Sequence, residues 1–174
     1  MAIKDLHLII TGGTIDSGLD YDPDKKCVYP PNAKSRIKPY IEKFIKPDFE
    51  IFETVICMLD SGDITDKHRQ EIYNAVATSK SQNIIITHGT DTMTQTGKWL
   101  FERLGTSNTK KVVLVGAFKP LSFAETDAPF NLGFAIGQIE HLPPNVYIAM
   151  NSEIYDVNHV KKDKARQRFV TLSH

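Results

Sequence analysis

Five short apolar runs punctuate the chain, and the stretches between them are amphipathic. The runs are Leu6 to Ile10 (broken only by His7), Phe49 to Leu59, Ile84 to Thr87, Val112 to Val115 and Val146 to Ala149. Such runs, bounded by glycine or polar signals, predict strands buried on both faces. The stretches between them carry helical spacing. "SRIKPYIEKFIK" places Ile37, Ile41, Phe44 and Ile45 on one face and requires Pro39 in its first turn. "DITDKHRQEIYNAVATSK" has Thr65 or Asp66 as N-cap and Ile72, Tyr73 and Val76 as a buried stripe. "TMTQTGKWLFERLG" stops at Gly105, and "APFNLGFAIGQIEHLPP" is closed by Pro143 and Pro144. Strand and helix therefore alternate from end to end. That order predicts a mostly parallel sheet with helices on both faces: an α/β three-layer sandwich, Rossmann/flavodoxin-like.

The chain has 174 residues, enough for one domain with a sizeable core. Its 21 basic residues balance its 21 acidic ones, which excludes a general polyanion binder and makes nucleic acid a poor partner. The locally basic "HVKKDKARQR" reads as a solvated segment. Cys27 and Cys57 are too few for a disulfide framework, and no apolar run is long enough for a leader or a membrane span. A cytoplasmic protein that contacts no membrane is the expectation.

Sites in such folds lie outside the carboxyl ends of the strands. Those ends read Thr11-Gly12-Gly13-Thr14, Asp60-Ser61-Gly62-Asp63, His88-Gly89-Thr90-Asp91, Gly116-Ala117-Phe118-Lys119-Pro120 and Asn151-Ser152-Glu153. Each taken alone is an ordinary turn or helix cap. Together they hold more hydroxyl, acid and glycine than capping demands. No phosphate loop, dinucleotide fingerprint, H-E-x-x-H or G-x-S-x-G elbow is present. The six histidines are scattered, and each reads as structural or surface. What remains is threonine, aspartate, lysine and tyrosine. A threonine hydroxyl becomes a nucleophile when a neighbouring base takes its proton.

"TGGTI" at Thr11 to Ile15 and "ITHGTDTM" at Ile86 to Met93 together resemble the two signature stretches of the bacterial-type L-asparaginases. "VGAFKPLSFAETDAPFNLGFA" and "YIAMNSEIYDVNHVKK" are similar to later segments of the same family, so the resemblance covers nearly the whole chain. It reaches only the family's N-terminal domain. It implies a short form, residues 1–174 forming a single catalytic domain, without the smaller C-terminal domain from which a neighbouring subunit supplies an acid.

Position by position, the resemblance implies the following roles. Thr14 is the acyl-accepting nucleophile, and Thr90 is the second threonine, beside Asp91. Lys162 is the relay lysine, with Lys161 and Lys164 a short gap away. Ser61 holds the substrate α-carboxylate, Asp91 meets its α-amino group, and Gly13 and Gly89 offer backbone near the oxyanion. The flap tyrosine is Tyr29 or Tyr21, on a segment that reads as a hairpin. Thr92 is expected to cap the following helix; Thr94 and Thr96 are expected to face surface or packing.

The implied reaction is hydrolysis of a small amide, L-asparagine to L-aspartate and ammonia, with no cofactor and no metal. A homodimer or homotetramer is expected, with contacts through the Trp99 and Phe101 surface or through "NLGFAIGQ". A binding module that has lost turnover, and an amidotransferase component acting on a charged transfer RNA, are the other readings.

Overall fold

The computed structural model describes residues 3–18, 32 and 34–172. Tyr21, Cys27 and Tyr29 lie outside the described residues. Strands β1 (Asp5–Gly12), β2 (Glu50–Leu59), β3 (Asn83–Thr87), β4 (Lys111–Val115) and β5 (Asn145–Met150) fall on the five apolar runs. They pair in parallel in the order β2-β1-β3-β4-β5. In register, Ile9 faces Ile86, Ile86 faces Leu114, and Leu114 faces Ile148. A sixth strand, β6 (Glu153–Asp156), turns back antiparallel on β5.

Helix α1 (Ile37–Tyr40) and α4 (Ala128–Ile139) cover one face, where Ile37, Ile41, Leu132, Ala135 and Ile139 pack on Leu8, Ile85 and Val113. Helices α2 (Asp66–Thr78) and α3 (Met93–Leu104) cover the other, where Ile72, Val76, Met93 and Leu100 pack on Ile9, Ile86 and Leu114. Three layers result, and burial on both sides explains why the central strands are continuous hydrophobic runs.

Three expectations are corrected. The face predicted from Ile37, Ile41, Phe44 and Ile45 is only half right. The chain unwinds after α1 into a π-helical stretch, Ile41–Ile45, closed by a bond from the Lys46 N–H to the Ile41 carbonyl at 2.9 Å. The wider turn rotates the last residues off the core, leaving Phe44 62% and Ile45 39% exposed. Strand β2, expected to be buried on both faces, is a sheet edge, and none of its residues is fully buried.

The basic segment read as solvated is instead a hairpin, β7 (Val160–Asp163) with β8 (Arg168–Thr171). Val160 and Phe169 anchor it in the core beside α3. Two inward apolar residues suffice to fix it, too few to stand out against its lysines and arginines.

Candidate active site

Each parallel strand delivers its final residues to the same edge of the sheet, and three of these ends are packed backbone to backbone. Gly12 and Gly13 continue β1 with φ of 88° and 78°, in the region that glycine enters without strain. The Gly13 N–H reaches the Leu59 carbonyl at the end of β2, 2.8 Å away. A Cβ on Gly13 would lie 2.3 Å from the Gly89 nitrogen after β3, and a Cβ on Gly89 would lie 2.6 Å from the Ser61 Cβ after β2. Thr14 follows the first of these touching glycines and Thr90 the second. The spacing Gly-Thr after β1 and Gly-Thr after β3 thus brings two threonines to one place. Thr14 is half-buried; Thr90 is 7% and Ser61 2% exposed.

The lysine arrives from the far end of the chain. Lys162 on β7 donates from Nζ to the Thr90 hydroxyl at 2.7 Å and pairs with Asp91 Oδ1 at 2.5 Å. Its side chain is 14% exposed, against 59% for Asp91. Lys161 and Lys164 are exposed. Strand alternation separates two of the three, with Lys162 opposite Phe169 in the hairpin register and Lys161 opposite Val170, while Lys164 lies past the end of β7 in the turn.

Residues to which the sequence assigned no individual role hold this lysine in place. The Asn151 side chain accepts from the Phe169 N–H at 2.8 Å, and the Tyr155 hydroxyl donates to the Phe169 carbonyl at 2.9 Å. The hairpin is thereby tied to the end of β5. The Phe118 ring lies 5.3 Å from Lys162 Nζ. Phe118 is set by the Asp127 carboxylate, which accepts from the Phe118 and Lys119 N–H groups at 3.0 Å each.

His88 is wholly buried behind Thr90. Its Nδ1 donates to the Gly89 carbonyl at 2.8 Å, which fixes the tautomer. Burial drives its pKa down to about 4, assisted by the charge of Arg69 and opposed by the Gly89 bond and by Asp60. At neutral pH the ring is uncharged.

Thr92 stands at the N-cap position of α3 but does not cap it. Its hydroxyl donates to the Ser61 carbonyl at 2.6 Å, stitching the β2 and β3 ends together. Thr96 is buried as packing and accepts from Arg69 Nε at 3.2 Å. Of the two candidate caps for α2, Thr65 takes the position, and its N–H donates to His68 Nδ1 at 3.1 Å. Among the described residues no three His, Cys, Asp or Glu side chains converge as a metal-binding group, and no helix is long and apolar enough to cross a membrane.

A hydroxyl, an amine and a carboxylate in hydrogen-bond succession can pass a proton away from oxygen. The family description "Asparaginase, N-terminal" matches residues 5–171. The chain belongs to this asparaginase family. Among curated relatives, a glutamyl-tRNA(Gln) amidotransferase component of Pyrococcus furiosus is 36% identical over 161 residues, covering 87% of this chain and 34% of that protein. L-asparaginase 1 of Escherichia coli is 30% identical over 174 residues, covering 95% and 49%. The solved thermostable L-asparaginase of Thermococcus kodakarensis superposes with a TM-score of 0.79 at 26% identity, covering 98% of this chain and 52% of that one. This asparaginase-family chain thus spans about a third to a half of the length of the curated relatives it matches.

Proposed function

We propose that this chain carries the catalytic domain of an amidohydrolase whose substrate is a small amide, L-asparagine first, opened through an acyl-threonine intermediate. One observation carries the reading: Lys162 reaches Thr90 and Asp91 across the sheet edge, beside the turn that holds Thr14. A mere binding module has less need of a part-buried amine bonded to a threonine hydroxyl and a carboxylate together.

In this reading Thr14 Oγ attacks the amide carbon, and its proton leaves through the flap tyrosine, Tyr29 or Tyr21. The tetrahedral oxyanion is met by backbone N–H groups of the glycine turns, Gly89 among them; the Gly13 N–H, expected to serve here, is instead given to the Leu59 carbonyl. Collapse breaks the C–N bond, and the departing nitrogen takes up a proton to leave as ammonia. Water then attacks the Thr14 ester, giving its proton to the Thr90–Lys162 relay, and Thr14 is restored with release of the acid. Ser61 faces the substrate α-carboxylate. Asp91, more than half exposed, offers its carboxylate to the α-ammonium group. Glutamine differs by one methylene, worth about 1–3 kcal/mol of discrimination, and is the expected weaker substrate.

The test is ammonia release from a panel of L-asparagine, D-asparagine, L-glutamine and simple amides, with acid-quenched protein weighed for an acyl adduct on Thr14. Turnover of L-asparagine with no adduct on Thr14 would reject the nucleophile; no turnover of any amide would reject the reading. The 36% identity to an amidotransferase component supports a second reading, in which the amide nitrogen is handed to an acceptor on a partner protein. Ammonia release by the isolated chain at a steady high rate counts against it.

A further inference from the structure

A cleft of about 300 Å³ opens between the α1 segment and the loop that joins β4 to α4. Arg36, Tyr40, Lys43, Phe44, Leu121 and Ser122 are among its walls. Small-molecule sites begin at about this size, roughly 300–1,000 Å³. None of these residues belongs to the cluster around Thr90 and Lys162.

The walls carry three features that the chain's own packing leaves unused. The first is aromatic. The π-helical turn at Ile41–Ile45 keeps Ile41 in the core but leaves Phe44 62% exposed. Tyr40 and Phe44 stand with ring centres 4.9 Å apart and tilted by 39°, an apolar wall facing no residue of the core. Wide turns of this kind are rare and concentrate at functional sites.

The second is charge. Among the described residues no carboxylate pairs with Arg36 or Lys43. The carboxylate of the same stretch, Glu42, lies 3.7 Å from Lys38 and lines a different cleft. Lys43 has only the Phe44 ring, 5.0 Å from its Nζ. The third is a hydroxyl. Ser122 Oγ is buried and has no hydrogen-bond partner. A buried polar atom left unpaired marks a place where a polar atom from outside the chain fits.

We propose that this cleft is a binding site for a small carboxylic acid with a flat apolar body, and that its filling is transmitted to the turn that carries Thr14. The guanidinium of Arg36 is a planar fork that matches a carboxylate, and the Ser122 hydroxyl donates to the same group. The apolar body lies on Tyr40, Phe44 and Leu121, where offset or tilted ring contacts are favourable.

Both walls run directly to the Thr14 turn. The Arg36 N–H donates to Asp16 Oδ1 at 2.9 Å, and the Leu121 N–H donates to the Ile15 carbonyl at 3.1 Å. Asp16 in turn donates its N–H to the Gly13 carbonyl at 3.0 Å. An acid that touches Arg36 on one wall and Ser122 on the other binds best with the walls held at this spacing. It therefore favours the state in which those hydrogen bonds are closed.

Phenylacetate is the probe, read by amide resonances of the full chain. It should shift the Arg36, Tyr40, Leu121 and Ser122 signals along one saturable curve. Phenylacetamide, which lacks the charge, and acetate, which lacks the ring, should each bind at least about tenfold more weakly, the worth of one charge-assisted bond or one apolar contact. Arg36→Gln should weaken phenylacetate by about tenfold or more. Ser122→Ala should also weaken it, yet melt no lower than the parent, because the hydroxyl it removes has no partner in the chain. With the cleft saturated, hydrogen exchange at the Asp16 and Leu121 amides should slow. No saturable shift at these positions overturns the site, and equal binding of phenylacetamide overturns the recognition of a carboxylate. Unchanged exchange at Asp16 and Leu121 overturns the link to Thr14. None of these readings uses turnover, so each is decided separately from the amidohydrolase assignment.

Discussion

Lys162 Nζ and the Thr90 hydroxyl lie 2.7 Å apart, joined across 72 positions of sequence. The bond exists because a hairpin near the end of the described chain is pinned over the end of β3. Asn151, Tyr155 and Phe169 do the pinning. Lys162→Met is therefore expected to lower kcat for amide hydrolysis by about 10²–10⁴-fold, the usual contribution of a proton-transfer group. Lys161→Met and Lys164→Met, on exposed positions, should leave it unchanged. Steady-state ammonia assays on the three variants decide whether the relay is assigned to the right lysine.

Thr14→Ala and Thr90→Val should each abolish ammonia release while the far-ultraviolet dichroism and the urea midpoint stay near the parent. Both side chains sit on turns whose shape is set by backbone contacts of Gly13 and Gly89. Near-normal turnover in either variant would remove that threonine from the mechanism.

Gly13→Ala and Gly89→Ala should unfold the site, or the protein. Gly13 combines a φ of +78° with a Cβ position 2.3 Å from backbone, and Gly89 would collide with Ser61 at 2.6 Å. Overpacking of this kind costs about 1–3 kcal/mol, and positive φ adds on the order of another 1 kcal/mol at Gly13. Gly62→Ala is the control, because its nearest contact would be an ordinary 3.7 Å. Urea melts of the three proteins measure the difference.

Stability should fall as the solution is acidified below neutrality. His88 has a pKa near 4 in the folded chain against 6.5 when exposed, because burial disfavours its charged form. Between these values the unfolded chain binds the extra proton, so stability is complete above about pH 6.5 and is lost as pH falls toward 4. The size is on the order of 3 kcal/mol for a fully buried ring. His7 acts with the same sign, lowered by burial and by Lys110. Urea midpoints at several pH values should rise from acid to neutral, and His88→Asn should flatten the curve. An unchanged slope in that variant would assign the acid sensitivity elsewhere.

Much of the fold was legible because the sheet is parallel and covered on both sides. Double burial turns each central strand into an uninterrupted apolar run, and the helices between them keep a one-sided stripe. The glycine and threonine turns at Gly12–Thr14 and Gly89–Thr90 were legible for a related reason: a parallel sheet sends all its strand ends to one edge. Strand β2 was found but its burial was misjudged, since an edge strand with Phe52 and Val55 exposed carries the same residue types as a central one. The π-helical turn at Ile41–Ile45 left no mark, because one wider turn changes spacing by a single residue.

The sequence by itself determined the order of strands and helices, the two threonine turns and the family resemblance. These depend on local periodicity and on residues adjacent in the chain. Only the tertiary structure decided which lysine meets Thr90, that Thr92 bonds the Ser61 carbonyl and caps nothing, and that Phe130 on α4 is left exposed. Each of those depends on which way a side chain points after distant segments have packed. The choice of Lys162 over Lys161 is one step of strand alternation, fixed by burial of Val160 and Phe169 against α3.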